Sequence, residues 1–223
     1  AAGHVELGIL PCGTGNDLAR SLGLVDPDDE EDLGAALDRA IHGSAQLMDV
    51  LRLTSADESR YALNAAAGGF AGAVDAAVER EQKRRWGPLA YLLGAAEALP
   101  KLDGYRTHVQ VDDGPREETD AVNVILANGR TIAGGKEVAP PADLRDGRLD
   151  LVIVHQAALP DLAAAGARLL AGNWLGHPLV THQTGRSVRV ESDPPMRFNA
   201  DGELWAEGAV EAEVVPGALR VVE

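Results

Sequence analysis

The sequence predicts an α/β fold in two unequal parts: a short α/β segment over residues 1–43, then a larger β-sandwich with peripheral helices over residues 44–223. Three observations support this division. An apolar strand, a glycine-rich loop and a helix follow one another near the start of the chain. Segments that alternate apolar and polar residues, as half-buried strands do, dominate the rest. Stretches with helical spacing interrupt these strands at only a few places.

The first element is the strand Gly3–Leu10, and a glycine-rich loop connects it to a short helix over Asn16–Leu22. Gly13 and Gly15 in this loop allow positive φ and close backbone approach. The Asn-Asp pair at the start of the helix can cap it. Amides that converge at the start of a helix suit a phosphate group. The residues therefore indicate either a phosphate site in a Rossmann-like domain or a strand-to-helix turn that binds nothing.

The next segment contains an acidic, proline-bearing run, Asp26–Asp32, which we interpret as a solvated loop and helix start. Leu33–Ile41 has helical spacing, and Gly43 stops that helix. We place the domain boundary near Gly43. The segments Ala45–Thr54 and Tyr61–Ala67 then alternate as two strands and predict a hairpin.

Two helices are predicted in the following stretch, over Ala71–Arg85 and Pro88–Leu99. The first of them ends in Lys83-Arg84-Arg85-Trp86. Cations at this position suit the dipole of a helix C-terminus, and a basic edge with a tryptophan equally suits a local membrane contact. The sequence leaves both interpretations open.

The remainder of the chain is mainly strands, with one further helix over Leu159–Leu170. The turn Asp112-Asp113-Gly114 joins the first two of these strands as a hairpin. The last strand could return to the first part of the chain. In order, the predicted strands are Tyr105–Val111, Thr119–Ala127, Leu149–His155, Thr184–Glu191, Met196–Asn199, Val210–Val215 and Ala218–Val222.

Bulk composition limits the classes of function. The formal net charge of −15 argues against a nucleic-acid partner, whose phosphates need a basic face, and against broad adhesion to anionic membranes. No apolar run reaches the length of a membrane-spanning helix, so any membrane contact is expected to be local. The single cysteine, Cys12, excludes an internal disulfide and indicates a reducing, cytoplasmic setting.

Acidic residues mark two further candidate sites. Asp201-Gly202-Glu203 puts two carboxylates beside a glycine on a tight turn, where one could act as a general base. The same tripeptide is also an ordinary hairpin turn. Asp143, Asp146 and Asp150 surround a second turn, where carboxylates and backbone carbonyls could hold a hard cation or simply face solvent. The residues by themselves leave these alternatives open.

Four segments stand out in order along the chain: PCGTGNDLAR from Pro11, NAAAGGFAGAV from Asn64, ANGRTIAGGKEVAPPADLRDGRLDL from Ala127 and FNADGE from Phe198. Together they resemble the diacylglycerol kinase catalytic family, which includes bacterial lipid kinases and sphingosine kinases. The resemblance covers nearly the whole chain. It implies a two-domain architecture with the active site in the cleft between the domains.

The resemblance implies roles for individual residues. Glu203 takes the role of proton acceptor, and Asp201 orients or shares a metal. Because no Walker lysine follows the glycine-rich loop, a P-loop enzyme is excluded. Thr14 corresponds to a nucleotide-contacting position and Asp17 lines the site. The nucleotide-binding residues implied are Gly13, Thr14, Gly15, Asn16 and Asp17.

Two more expectations follow from the same resemblance. A structural Mg²⁺, distinct from the catalytic metal, is implied at Asp143, Asp146 and the carbonyl of Arg148. Gly134-Gly135-Lys136 stands where the family has three glycines, so we expect lysine to replace the third one. A lysine there would narrow or charge the cleft, which leaves the choice of substrate open.

We therefore expect an ATP-dependent lipid kinase that uses Mg²⁺ and phosphorylates a primary hydroxyl of diacylglycerol or a sphingoid-like alcohol. It would be cytoplasmic, meet its lipid at a membrane surface, and is compatible with a homodimer. One alternative is a kinase of a soluble alcohol or nucleotide, similar to NAD kinases. Another is a non-catalytic binding module, because the family's upstream GGDG-type loop, which grips the ATP phosphates, does not occur in this chain. We expect that the chain begins within a domain and is truncated.

Overall fold

The computed structural model describes residues 5–13, 15–25, 33–56, 58–70 and 104–223. The helices within these ranges are α1 (Asp17–Ser21), α2 (Leu33–His42) and α3 (Leu159–Leu170). All three match predicted helices, and none of them has the length and apolar character needed to cross a membrane. The acidic run and the two helices predicted between residues 71 and 99 lie outside the described residues.

The strands confirm the predicted β-rich architecture. In chain order they are β1 (Glu6–Gly8), β2 (Ala45–Ser55), β3 (Glu58–Ala62), β4 (Ala65–Gly69), β5 (Tyr105–Val111), β6 (Glu117–Ala127), β7 (Thr131–Ile132), β8 (Lys136–Glu137), β9 (Leu149–His155), β10 (Val180–Gly185), β11 (Ser187–Asp193), β12 (Arg197–Ala200), β13 (Glu203–Glu207) and β14 (Val210–Val222).

Twelve of these strands form one sheet, and β7 and β8 pair separately as a short ladder. The main path runs β13-β12-β4-β6-β5-β11-β14-β2-β3, with β1 attached to β14 and the β9–β10 pair attached to β6. The long strand β6 joins the two halves of the path. Its first half, Glu117–Ala121, pairs with β5, and its second half, Asn123–Ala127, pairs with β4. The fold is thus an α/β protein whose larger part is antiparallel β-structure.

The main core is built from the aliphatic side chains that one face of this sheet presents. Phe198 is its largest fully buried side chain. The ring of Phe198 lies directly over Gly68 of β4, where an added Cβ would come within 2.5 Å of the ring. A second cluster packs around Trp174, whose indole N–H donates to the carbonyl of Val138 at 2.9 Å. The β4–β12 contact therefore requires a glycine at position 68.

The first and last strands of the chain lie side by side. The register of this parallel pair runs from Glu6 opposite Arg220 to Gly8 opposite Val222. On the other side, Gly8 contacts α2, because a Cβ built on it would lie 2.8 Å from the Cβ of Ala40. The observed β1 is shorter than the predicted strand Gly3–Leu10. Through β14, this first segment is continuous with the large sheet.

Two segments predicted as single strands are interrupted in the structure. The predicted strand Tyr61–Ala67 divides into β3 and β4, because the carboxylate of Asp201 accepts the amides at the break. The predicted strand Thr184–Glu191 divides into β10 and β11, because Asp112 Oδ1 accepts the amides of Arg186 and Ser187 at 2.7 and 2.9 Å. After each break, the chain continues in a strand that pairs with different neighbours.

At the end of the chain, by contrast, two segments that were predicted as separate strands form one strand. The strand β14 runs through the bulge between Val215 and Leu219 and pairs with β2 on both sides of it. Gly217 lies in the bulge with a φ of 57°. Its amide donates to Oδ1 of the buried Asp49 at 2.7 Å. A bulge with its own acceptor lets the ladder continue past Pro216, which has no N–H.

We expect Asp112→Asn to lower the Tm at neutral pH and to matter less in acid. The amide hydrogen bonds of Ser187 and then Arg186 hold the pKa of Asp112 below its ordinary value. A lowered carboxyl pKa contributes stability above the unfolded value, about 3.9, and this contribution disappears as the pH falls through the folded value. The Tm difference from the parent should therefore shrink between about pH 6 and about pH 3.

The matched control for this test is Asp113→Asn in the same turn, whose side chain makes no such contacts among the described residues. Asparagine tolerates the positive φ of 50° at position 112, so the backbone is not perturbed. A Tm difference that persists unchanged in acid, or that Asp113→Asn reproduces, would contradict this account of the break between β10 and β11.

Candidate active site

The glycine-rich loop is closed by the side chain of Asn16. Its Oδ1 accepts the amide of Gly13 at 2.8 Å, and its Nδ2 donates to the carbonyl of Pro11 at 3.0 Å. Asn16 occupies the N-cap position with a φ of 52°, but its side chain makes no cap hydrogen bond with α1, so of the two residues expected to be able to cap the helix Asn16 does not do so through its side chain. Because the Gly13 amide is already bonded, it does not face a phosphate in this arrangement. Thr14 lies outside the described residues.

Asp17, the first residue of α1, binds a second loop. Its Oδ2 and Oδ1 accept the amides of Gly134 and Gly135 at 3.1 and 2.7 Å. Arg20 braces the same region, because its Nε donates to the carbonyl of Gly15 at 3.2 Å. The two glycine-bearing segments that the sequence singled out, around residues 13–17 and 134–135, are thus joined by one carboxylate.

The backbone conformation changes between Gly135 and Lys136. Three successive residues have positive φ, namely Ala133 at 50°, Gly134 at 81° and Gly135 at 91°. Lys136 instead lies in the extended strand β8. Lys136 therefore does not share the positive-φ backbone of the two glycines before it, which is the conformation that favours glycine.

The Asp201-Gly202-Glu203 turn is anchored to β4. Asp201 and Gly202 have φ values of 48° and 80°, as a two-residue hairpin turn of type I′ requires, and they join β12 to β13. Asp201 Oδ2 accepts the amide of Leu63 at 2.7 Å, and its Oδ1 accepts those of Asn64 and Ala65 at 2.9 and 3.0 Å. Both oxygens of Asp201 are therefore engaged by backbone. Glu203 opens β13 and is exposed.

Asn64 connects this turn to α1. Its Oδ1 accepts the hydroxyl of Ser21, at the end of α1, at 3.1 Å. Its Nδ2 donates to the carbonyl of Thr131 at 2.8 Å. The Thr131 hydroxyl in turn donates to the carbonyl of Asp17 at 3.1 Å. A continuous network of hydrogen bonds thus runs from the predicted nucleotide loop to the turn that carries Glu203.

A buried layer next to the site contains Asp49, which the sequence pattern did not single out for function, and Asn128, which lies in the motif segment that begins at Ala127. Asp49 is 3% exposed, and its Oδ1 and Oδ2 accept the amides of Gly217 and Gly147, both at 2.7 Å. Asn128 donates from Nδ2 to the carbonyls of Asp49 and Leu63 at 2.9 and 2.7 Å. Asn128 Oδ1 is buried without a partner among the described residues. The sequence feature that could have identified Asp49 is its position as an acidic residue inside the apolar run Met48–Leu51.

The predicted metal site lies on an exposed turn next to this layer. Asp143 Oδ1 accepts the amide of Arg145 at 3.0 Å, and Asp146 Oδ1 accepts that of Arg148 at 2.9 Å. Each aspartate keeps a second carboxylate oxygen, and Mg²⁺ prefers such hard oxygen ligands and retains water. The donor set therefore fits Mg²⁺, although no three His, Cys, Asp or Glu side chains within the described ranges cluster as a metal site.

The carboxylate of Asp150 pairs with a residue outside this turn. It is 3% exposed and its Oδ1 lies 2.5 Å from His182 Nε2. Burial raises the pKa of Asp150 above its ordinary value, and the hydrogen bond to His182 partly opposes that shift. Asp143 and Asp146 thus lie on the same turn, whereas Asp150 pairs with His182 of β10.

We predict that Asp201→Asn destabilises the chain by about 1.5 to 3 kcal/mol, the range for hydrogen bonds to a charged group. Asparagine keeps the shape and the tolerance for positive φ, but its NH₂ group would face backbone amides and leave at least one of them unpaired. Urea unfolding measures the loss. Asp120→Asn, an exposed position in β6, is the control. Equal unfolding free energies for the two variants would contradict the anchoring role of Asp201.

Comparisons with known proteins agree with this fold and with the order of its segments. Residues 64–223 match the family described as the YegS C-terminal NAD kinase beta sandwich-like domain, and residues 1–53 match the diacylglycerol kinase catalytic domain. A diacylglycerol kinase of Staphylococcus saprophyticus is 32% identical over 198 residues, which are 89% of this chain and 62% of the relative. One of Staphylococcus carnosus is 30% identical over 202 residues, which are 91% of this chain and 63% of the relative. The chain thus spans less than two thirds of the length of these relatives.

The solved structures show the same fold. A proposed diacylglycerol kinase of Bacillus anthracis gives a TM-score of 0.76 at 20% identity, covering 97% of this chain and 68% of the other. A second structure from the same organism gives 0.74 at 21% identity, covering 100% of this chain and 70% of the other. At these identities the likeness concerns the fold alone. It agrees with the α/β architecture and the large antiparallel sheet described above.

Proposed function

The chain belongs to the family described as the YegS C-terminal NAD kinase beta sandwich-like domain, and on that premise, with the match of residues 1–53 to the diacylglycerol kinase catalytic domain, we propose that the protein is an ATP-dependent lipid kinase. It would transfer the γ-phosphoryl group of ATP to a primary hydroxyl of diacylglycerol or a sphingoid-like alcohol. The observation that carries the proposal is the hydrogen-bond network joining the Gly13–Asp17 loop to the Asp201-Gly202-Glu203 turn through Asn64. In the proposal, this network would hold the nucleotide loop and the turn that carries Glu203 in position relative to each other.

Phosphoryl transfer demands little covalent chemistry from a protein: phosphates in position, charge neutralised and a base for the attacking hydroxyl. We assign the base to Glu203, because it is exposed at the start of β13, where a substrate hydroxyl can approach. Asp201 is assigned to position Glu203, because its carboxylate is committed to the amides of β4. The nucleotide is assigned to the Gly13–Asp17 loop, including Thr14.

Mg²⁺ is assigned a structural role at the exposed turn. The free carboxylate oxygens of Asp143 and Asp146, with the carbonyl of Arg148, would hold it. When bound, the ion would neutralise the two carboxylates and supply a fixed positive charge that braces the turn. Asp49 supports the same turn from below through the amide of Gly147. A second, catalytic Mg²⁺ would arrive with ATP, as in other phosphoryl-transfer enzymes.

The lipid class of the substrate implies work at a membrane surface. With a net charge of −15, the protein gains little from broad attraction to anionic lipid, so we propose a local, peripheral contact of a cytoplasmic protein. The substrate would be presented at that contact and reach Glu203 from the membrane side. Which hydroxyl lipid is preferred depends on the shape of the pocket.

We predict that Glu203→Gln, made in the natural-length protein, lowers kcat by about 100-fold to about 10,000-fold. Glutamine keeps the size of the side chain but cannot accept the proton of the attacking hydroxyl. The assay is ATP-dependent phosphorylation of lipid in mixed micelles, with Tm measured beside it. The Tm should stay within about one degree of the parent, because surface substitutions change stability little.

The matched control is Glu207→Gln, the same change in the same strand β13, where the carboxylate pairs with the exposed Arg197. Its kcat should equal that of the parent. Unchanged turnover in Glu203→Gln, or an equal loss in both variants, would contradict the assignment of Glu203 as the base.

We also predict that Mg²⁺ raises the Tm of the chain. At about ten times its Kd, one bound ion stabilises a protein by about 1.4 kcal/mol. The response should disappear in Asp146→Asn and persist in Asp113→Asn, an exposed position that is not among the proposed metal ligands. Differential scanning calorimetry at constant ionic strength measures it. A Tm response that Asp146→Asn retains would contradict the metal assignment.

A further inference from the structure

The hydrogen bond between Ser21 and Asn64 joins the helix of the proposed nucleotide site to the segment that anchors the turn of the proposed base. Ser21 is the last residue of α1, which begins directly after the glycine-rich loop. Its hydroxyl donates to Asn64 Oδ1 at 3.1 Å and accepts the amide of Arg130 at 3.0 Å. Ser21 thus connects α1 with the break between β3 and β4. Its hydroxyl uses both its donor and its acceptor capacity.

Asn64 divides its polar groups among four neighbouring elements. Its backbone amide donates to Asp201 Oδ1, and its Nδ2 donates to the carbonyl of Thr131. Its carbonyl accepts the amides of Asn128 and Gly129, both at 2.9 Å. The residue is only 8% exposed. Because every one of these groups is committed, Asn64 cannot shift without moving the Asp201 turn or losing a hydrogen bond.

Gly129 has no side chain, and the Ser21–Asn64 contact occupies the space where its Cβ would lie. A Cβ built on Gly129 would lie 2.2 Å from Asn64 Oδ1 and 2.6 Å from Ser21 Oγ. Its φ lies outside the left-handed region, so the backbone itself would accept an alanine. The glycine is therefore required by the Ser21–Asn64 contact and not by the conformation of its own backbone.

We propose that Ser21 and Asn64 are positioning residues that set the distance between the bound nucleotide and Glu203. This inference rests on the proposed kinase function. Ser21 fixes α1 to Asn64, and the Asn64 amide fixes Asp201, two residues before Glu203. A displacement of about 1 Å between reacting groups can cost about 100-fold in rate. The contact would therefore act on the chemical step more than on nucleotide affinity.

Two variants disturb the contact in different ways. Ser21→Ala removes the hydroxyl, and Gly129→Ala inserts a methyl group between the partners without removing any hydrogen-bonding group. In the natural-length protein, each should lower kcat by about 10-fold to about 100-fold while the KM for ATP changes by less than about 3-fold. The double variant should be no worse than the stronger single variant, because both break the same contact.

A second readout works on the 223-residue chain without activity. The amides of Leu63, Asn64 and Ala65 are protected by Asp201, so hydrogen exchange there should speed up by about 10-fold or more in both variants. Ser55→Ala is the matched control, because it deletes a hydroxyl that donates to the carbonyl of Ala209 at 2.8 Å, in the β2–β14 region. That variant should leave both readouts at the parent value.

The outcomes separate this inference from the proposed function. Variants that lower the Tm but keep kcat, with exchange at Leu63–Ala65 unchanged, would show a structural contact only and overturn the inference. A loss confined to the KM for ATP would also overturn it. A natural-length parent without kinase activity would contradict the proposed function instead. The exchange result would then decide by itself: acceleration supports the coupling of α1 to Asp201, and unchanged exchange refutes it.

Discussion

Carboxylates that accept two or more backbone amides determine where the strands of this protein end and what they pair with next. Asp201 holds the amides at the break between β3 and β4, and Asp112 holds those between β10 and β11. Asp49 does the same for the bulge in β14. Amides at such interruptions have no ladder partner, and leaving them unpaired is costly. A charged acceptor satisfies several of them at once.

The candidate site consists largely of these anchored interruptions. Asp201 ties its own turn to β4, and Asp17 ties the start of α1 to the Gly134-Gly135 segment. Asn64 then links the two anchored regions through Ser21. Because each anchor is a side chain bonded to several backbone groups, the turn that carries Glu203 and the glycine-rich loop are each held by more than one hydrogen bond. Preorganisation of this kind is what phosphoryl transfer requires of a protein.

Local periodicity was sufficient to predict most elements, including α2, α3 and the long strands β2, β6 and β9. It failed at the breaks, since alternation continues through Leu63 and the residue that interrupts it, Asp201, is 138 positions away. The candidate residues could be named from segment resemblance, but their partners could not. The role of Asn64 and the pairing of Asp150 with His182 depend on contacts between segments that are remote in sequence. The positive φ of Ala133 likewise has no local signal.

The proposed activity is the transfer of a phosphoryl group from ATP to a lipid hydroxyl at this site. The most direct measurement follows the label from γ-labelled ATP, incubated with the natural-length protein, Mg²⁺ and mixed micelles, and in parallel with soluble alcohols and NAD. We expect the label to appear in a phosphorylated lipid, and we expect this transfer to depend on Mg²⁺. Label that enters only a soluble alcohol or NAD, or that enters no acceptor, would contradict it.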